Sequence, residues 1–134
     1  MGGVATFVSN EVKTNTLKVK EGEEKEEYLI TRLDHVRPPV NIINVYGRQE
    51  SRMTKEEILE SWSQLRREIK DIEEREEGLV CIGDFNRAVG NDTLGVAENH
   101  PQVSFGGELI RELLEDDRYI LLNNSKVTEG GPWT

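Results

Sequence analysis

The chain has 134 residues, a length that suits one domain, with 35% hydrophobic and 32% charged residues and a formal net charge of −9. Such a composition allows a core but not a generous one, and its acidity repels phosphates; this counts against a simple nucleic-acid-binding module without excluding a metal-dependent enzyme acting on phosphodiesters. Cys81 is the only cysteine, so an intrachain disulfide is excluded and a reducing, intracellular compartment (nuclear or cytoplasmic) is expected; no apolar stretch is long enough to span a bilayer.

Met1–Asn10 lacks the charged start and the apolar length of a signal peptide. Gly3–Ser9, GVATFVS, is apolar and β-branched and predicts a strand. Its abrupt position suggests a fragment whose preceding elements are absent. Asn10–Asn15 reads as a turn, and Thr16–Lys20, TLKVK, alternates as a half-exposed strand does. The glutamate-rich Glu21–Glu27 reads as a solvated turn. Tyr28–Leu33, YLITRL, then returns as the second strand of a hairpin or meander.

His35 follows in DHVRPP and reads as structural rather than catalytic. Pro38 and Pro39 force an extended turn. Val40–Tyr46, VNIINVY, is a strand with Val40, Ile42 and Asn44 on one side and Ile43 and Val45 on the other. Asn44 inside this run needs partners if buried. Gly47–Met53 is a polar loop. Thr54 and Glu57 form a T-x-x-E capping box, with Glu56 and Glu57 in the first turn where the helix dipole favours them. Ile58, Trp62, Leu65, Ile69 and Ile72, spaced four, three, four, three, predict one apolar stripe over about four turns. That spacing also suits a short coiled coil. The helix ends near Gly78 and an apolar run follows at once, so packing on a sheet in a right-handed strand–helix–strand crossover is the better reading.

That run is Leu79–Asn86, LVCIGDFN, which predicts a strand buried on both faces with Cys81 as a small core residue. Asp84 and Asn86 stand at its carboxyl end, where open α/β sheets bind ligands. Two further residues of extended backbone would point both to one side. The alternative is an Asx-type turn in which Asp84 and Asn86 bond only nearby backbone. Arg87–Val103 is a long loop rich in Gly, Asn and Asp; His100 within it again reads as structural. Ser104–Asp117 predicts a second helix with an apolar face of Leu109, Ile110, Leu113 and Leu114. Tyr119–Leu122 predicts a further buried strand, and Asn123–Thr134 is polar and rich in Gly. Internal repeats and low-complexity linkers are absent.

The candidate site is therefore Tyr46, Asp84 and Asn86, all at strand ends. If their strands are neighbours, a hydroxyl, a carboxylate and an amide converge. An ionised Asp can orient and deprotonate water or hold a divalent cation, and an Asn amide or Tyr hydroxyl can donate to a phosphate oxygen. One carboxylate is little for magnesium, which takes one or two carboxylates together with water and substrate oxygens.

G-D-F-N after an apolar strand resembles the signature of the endonuclease/exonuclease/phosphatase superfamily, and so does N-V-Y about forty residues earlier across one long helix. The opening G-G-V-A-T-F-V-S is similar to that family's mid-domain strand. The tail N-N-S-K-V-T-E-G-G-P-W-T resembles the segment before the next catalytic strand in the endonuclease domain of non-LTR (LINE-type) retrotransposons, a branch similar to abasic-site endonucleases. The resemblance covers nearly the whole chain. It implies an α/β (α+β) fold, with mixed sheet layers flanked by helices, as a middle part of the four-layer αββα sandwich. It further implies that Asp84 positions or activates the attacking water, that Asn86 contacts the scissile phosphate, and that Tyr46 contacts phosphate or nucleophile. The implied cofactor is magnesium (or manganese) and the implied partner is DNA, both in an intact parent domain. The family's remaining groups are an amino-terminal asparagine, a metal-binding glutamate, an aspartate and an Asp-His pair. None has a match here, and neither His35 nor His100 lies in the matching context. The expectation is an inactive chain that binds no metal alone and self-associates through an exposed apolar sheet face. Two alternatives remain: a non-catalytic interaction or scaffold module, and a phosphatase or phospholipid-cleaving member of the same superfamily.

Overall fold

The computed structural model describes residues 4–12, 14–19, 27–90, 102–116 and 118–122. The chain divides into two compact units that meet between Asn86 and Arg87. The first is a mixed α+β unit. Strands β1 (Thr14–Val19), β2 (Glu27–Leu33), β3 (Val40–Tyr46) and β4 (Gly78–Asp84) form one sheet in the order β1-β2-β3-β4. The first two pairings are antiparallel and the third is parallel. The parallel step is bridged by a single turn of 3₁₀ helix at Glu50–Arg52 and by helix α1 (Lys55–Glu74), as the strand–helix–strand pattern requires.

α1 starts where its capping box places it. The Thr54 hydroxyl accepts from the Glu57 N–H at 3.2 Å, and the Glu57 carboxylate accepts from the Thr54 N–H at 2.7 Å. That backbone donor, with Arg48 beside it, holds the Glu57 carboxyl below its ordinary range. The helix ends in a Schellman motif. Glu76 N–H bonds to the Glu73 carbonyl and Glu77 N–H to the Ile72 carbonyl, with Glu76 at φ 55°. A glutamate thus occupies the left-handed position that glycine usually fills.

Strand alternation divides the sheet into two faces. Tyr28, Ile30, Ile43 and Val45 are buried on one, and Ile58, Ser61, Leu65, Ile69 and Ile72 are buried on α1. The Tyr28 hydroxyl donates to Glu68 at 3.0 Å and ties the helix flank to β2; burial, then this carboxylate, raises its pKa. The predicted helix stripe holds with one change: Ser61 is buried and Trp62 only half-buried. At 100° per residue, Ser61 and Trp62 lie on opposite flanks of the stripe, and the flank that is buried carries the small side chain. The buried amide is also not the one expected. Asn41 is fully buried, whereas Asn44 is half-buried and donates to the Ala5 carbonyl at 2.9 Å.

Three strand expectations are corrected. Residues 4–9 form no strand; they lie beside Asn44 on the face away from α1. β4 is not buried on both faces. Among the described residues it is an edge strand, and Val80 to Asp84 are exposed, Cys81 among them. An apolar run reports affinity for burial, not the number of neighbours that arrive to supply it. Residues 119–122 form no strand either, with Ile120 74% and Leu122 55% exposed.

The second unit is built around α2 (Phe105–Leu114), shorter than the expected Ser104–Asp117. Its N-cap Ser104 accepts from Gly107 N–H and from Ala88 N–H, each at 3.1 Å. Val89 and Val103 form an isolated antiparallel bridge. A Cβ on Gly107 would lie 1.8 Å from the Ala88 carbonyl oxygen, so only glycine permits this contact. The residues buried on α2 are Gly106 and Gly107, while Leu109, Ile110, Leu113 and Leu114 are half-buried. Residues 21–26 of the expected turn at 21–27, His100 and the tail 123–134 lie outside the described residues, while Glu27 opens β2.

Ile69 is 1% exposed in the α1–sheet core, so Ile69→Ala is expected to lower unfolding free energy by about 2–5 kcal/mol in urea titration. Glu76→Gly is expected to raise it by about 1 kcal/mol, because glycine adopts positive φ without the Cβ penalty.

Candidate functional site

β3 and β4 run parallel and in register, and their last residues, Tyr46 and Asp84, are lateral partners. Partners in a parallel ladder project to the same face about 4.8 Å apart at the backbone. Tyr46 is 47% exposed and Asp84 is exposed, so both reach solvent at the carboxyl rim of the sheet. The two strands are thus neighbours, the condition on which a hydroxyl and a carboxylate from them would converge.

Asn86 joins them by a different route from the one expected. The backbone does not stay extended; Asn86 sits at φ 49°, in the left-handed region that asparagine tolerates. Its N–H donates to Asp84 Oδ1 at 2.9 Å, which is the Asx-type turn. Its side-chain Nδ2 donates to the Gly47 carbonyl at 2.5 Å, and Gly47 N–H donates to the Asp84 carbonyl at 2.7 Å. Gly47 is thus bracketed by both ends of the turn after β4. A Cβ there would lie 2.2 Å from the Phe85 carbonyl oxygen, so no other residue fits without moving the rim. A Cβ on Gly83, which sits at φ 121°, would likewise lie 2.0 Å from the Val45 carbonyl oxygen. The three residues are therefore held by one small clamp, in which Asp84 and Asn86 both have structural bonds.

The residues present do not make a divalent-cation site on their own. Of Tyr46, Asp84 and Asn86 only Asp84 is a carboxylate, one of its oxygens already accepts a backbone N–H, and no cluster of three or more His, Cys, Asp or Glu side chains suited to a metal occurs among the described residues. A cation here would depend on substrate and water oxygens or on ligands outside the described residues. Among the described residues no helix is long and apolar enough to cross a membrane.

A second polar cluster, missed by the sequence reading, sits at the opposite end of β3 and β4. Glu77 accepts from Arg32 Nε at 3.1 Å and Nη2 at 2.7 Å, and from Asn41 Nδ2 at 2.7 Å, with Arg75 Nε at 3.4 Å. Arg32 also pairs with Asp34 at 2.5 Å. The Glu77 side chain is 7% exposed. The Arg32 guanidinium, then the Asn41 amide, hold its carboxyl down to about 2. The signal available in the sequence was an arginine on one strand cross-paired with an asparagine on the next, Arg32 with Asn41, but nothing local to either residue points to Glu77. His35 lies exposed in the preceding turn and takes no part.

No family model, curated protein or solved structure matches the chain.

A depressed carboxylate stabilises the fold fully above its unfolded pKa of 4.5 and loses that contribution as pH falls through about 2. The stability difference between the chain and its Glu77→Gln variant, read by urea unfolding, is therefore expected to be largest near neutrality. It should shrink as pH drops from about 4.5 toward about 2. A difference that stays constant across that window would show that Glu77 acts by shape rather than charge.

Proposed function

We propose that this chain carries the Tyr46–Asp84–Asn86 rim of a divalent-metal-dependent phosphodiesterase domain, one that nicks DNA in its intact parent as the resemblance to the endonuclease/exonuclease/phosphatase superfamily and its LINE-type branch implies. The observation that supports it most is the side-by-side placing of Tyr46 and Asp84 at the carboxyl ends of adjacent parallel strands. In this reading the sheet is one layer of a four-layer αββα sandwich. Magnesium or manganese supplies charge neutralisation at the phosphate when bound. Asp84 orients a water and receives its proton, and the Tyr46 hydroxyl donates to a non-bridging phosphate oxygen. Asn86, through its bond to Gly47, sets the angle at which the turn meets the phosphate.

The groups that the family adds to these three have no match in this sequence, so the chain alone supplies positioning without a complete set of proton-transfer and metal-binding residues. Residues that act as a unit lose most of their effect when partners are missing. A second reading, a scaffold that has kept the clamp and lost the chemistry, is favoured by the structural bonds of Asp84 and Asn86.

Two measurements separate these readings. In magnesium, a short DNA oligonucleotide is expected to shift the backbone NMR resonances of Tyr46, Asp84 and Asn86, and Asp84→Ala is expected to abolish those shifts. Shifts confined to other residues, or unchanged in Asp84→Ala, would leave only the scaffold. Plasmid nicking by the chain is expected to be indistinguishable from its Asp84→Ala variant; nicking that depends on Asp84 would show that the chain is catalytically complete.

A further inference from the structure

Among the described residues no strand pairs with the outer edge of β4, and the pattern of that edge matches itself. Gly78 N–H donates inward to the Pro39 carbonyl at 2.9 Å, and the Asp84 carbonyl accepts inward from Gly47 N–H at 2.7 Å. Backbone groups alternate sides along a strand. Gly78, Val80, Ile82 and Asp84 therefore bond toward β3, while the N–H and C=O of Leu79 and Cys81 point outward. No described strand lies beyond β4. Natural edges are blunted by lysine, proline, bulges or brevity. This edge is seven residues, GLVCIGD, without proline and with its one charge at the last position.

We infer that β4 is an interface for a second copy of this chain, pairing antiparallel with its own counterpart about a two-fold axis at Cys81. Cys81 is the fourth residue of seven, so the full-length register places Cys81 opposite Cys81 of the second copy. Its outward N–H and C=O then make the reciprocal pair of hydrogen bonds that such a register needs. Val80 falls opposite Ile82 of the second copy, and Ile82 opposite Val80. These are 37% and 43% exposed and become cross-strand apolar pairs. Charge agrees with this direction. Each Asp84 falls opposite Gly78 of the other copy, so the two carboxylates stand about 20 Å apart along the strands.

Sterics agree as well. The axis is perpendicular to the sheet, so both α1 helices lie on one face. The Tyr28–Glu68 bond ties α1 toward β2. That bond draws each helix toward its own β2 and so away from the axis. Edge pairing is favoured over stacking of the open sheet faces because residues 5 and 6 already occupy part of that face beside Asn44. This inference does not depend on the phosphodiesterase reading.

The test uses the full chain under reducing conditions, in sedimentation velocity, followed by cysteine cross-linking under mild oxidation. A concentration-dependent dimer is expected. Ile82→Lys, which sets a lysine opposite Val80, is expected to abolish it while far-UV circular dichroism stays unchanged. In a Cys81→Ser background, a Val80→Cys chain mixed with an Ile82→Cys chain is expected to form the mixed disulfide. Neither chain should link to itself, since the mixed pair stands about 4.5 Å apart at Cα and same-residue pairs about 7–8 Å. Edge pairing is overturned by a monomer at every soluble concentration, by a dimer indifferent to Ile82→Lys, or by same-residue links that form as fast as the mixed one.

Discussion

The parallel register of β3 on β4 is the constraint on which the first unit depends. It is pinned at both ends by backbone bonds outside the ladder, Gly78 to Pro39 and Gly47 to Asp84, and near the rim by the close approach of Gly83 to Val45. Side chains alternate with period two, so a slip of one residue would turn Asp84 to the α1 side while Tyr46 stayed on the other. The same slip would set Leu79 and Cys81 against the open face and Val80 and Ile82 against α1. Register, core and rim are thus one decision, and the glycines at 47 and 83 permit it, because this arrangement leaves no room for a Cβ at either position.

The two ends of this strand pair solve different problems. At the start of β4, a desolvated glutamate is held by two arginines and a buried amide. A carboxylate at 7% exposure is tolerable only with such partners, so Arg32, Asn41 and Glu77 are mutually required and fix where α1 hands over to β4. At the far end, Asp84 stays exposed and keeps one oxygen on a backbone N–H. The ionisable group locked in place is the structural one, and the one left accessible is the candidate for chemistry.

Local physics accounts for what was legible in the sequence. The capping box and 4-3 stripe fix α1 from residues within one turn of each other, and Pro39 and Gly47 bracket β3 on both sides, so these two elements appear where expected. What failed depends on partners far along the chain. Residues 4–9 and 119–122 have strand-like composition, but a strand exists only when another strand accepts its hydrogen bonds. β4 was legible as a strand and illegible as an edge for the same reason. Asn44 drew notice because it interrupts an apolar run, yet the fully buried amide is Asn41, whose importance rests on Arg32 and Glu77, 9 and 36 positions away (32 against 41, 41 against 77).

The candidate site itself shows why a structural and a chemical role for one residue do not compete. An Asx turn freezes the rotamer of its carboxylate, because Oδ1 must stay on the Asn86 N–H. Among the described residues Oδ2 has no protein partner. A reacting group gains from being held in one orientation before substrate arrives, since the entropy of ordering it is then already spent. The clamp that would make Asp84 and Asn86 ordinary turn residues is the same clamp that would hold the second carboxylate oxygen of Asp84 in one orientation on the strand beside Tyr46. What meets that second oxygen decides between scaffold and hydrolase, and a phosphodiester brings its own oxygens and countercation to a rim where, among the described residues, no cluster of three metal-ligating side chains stands.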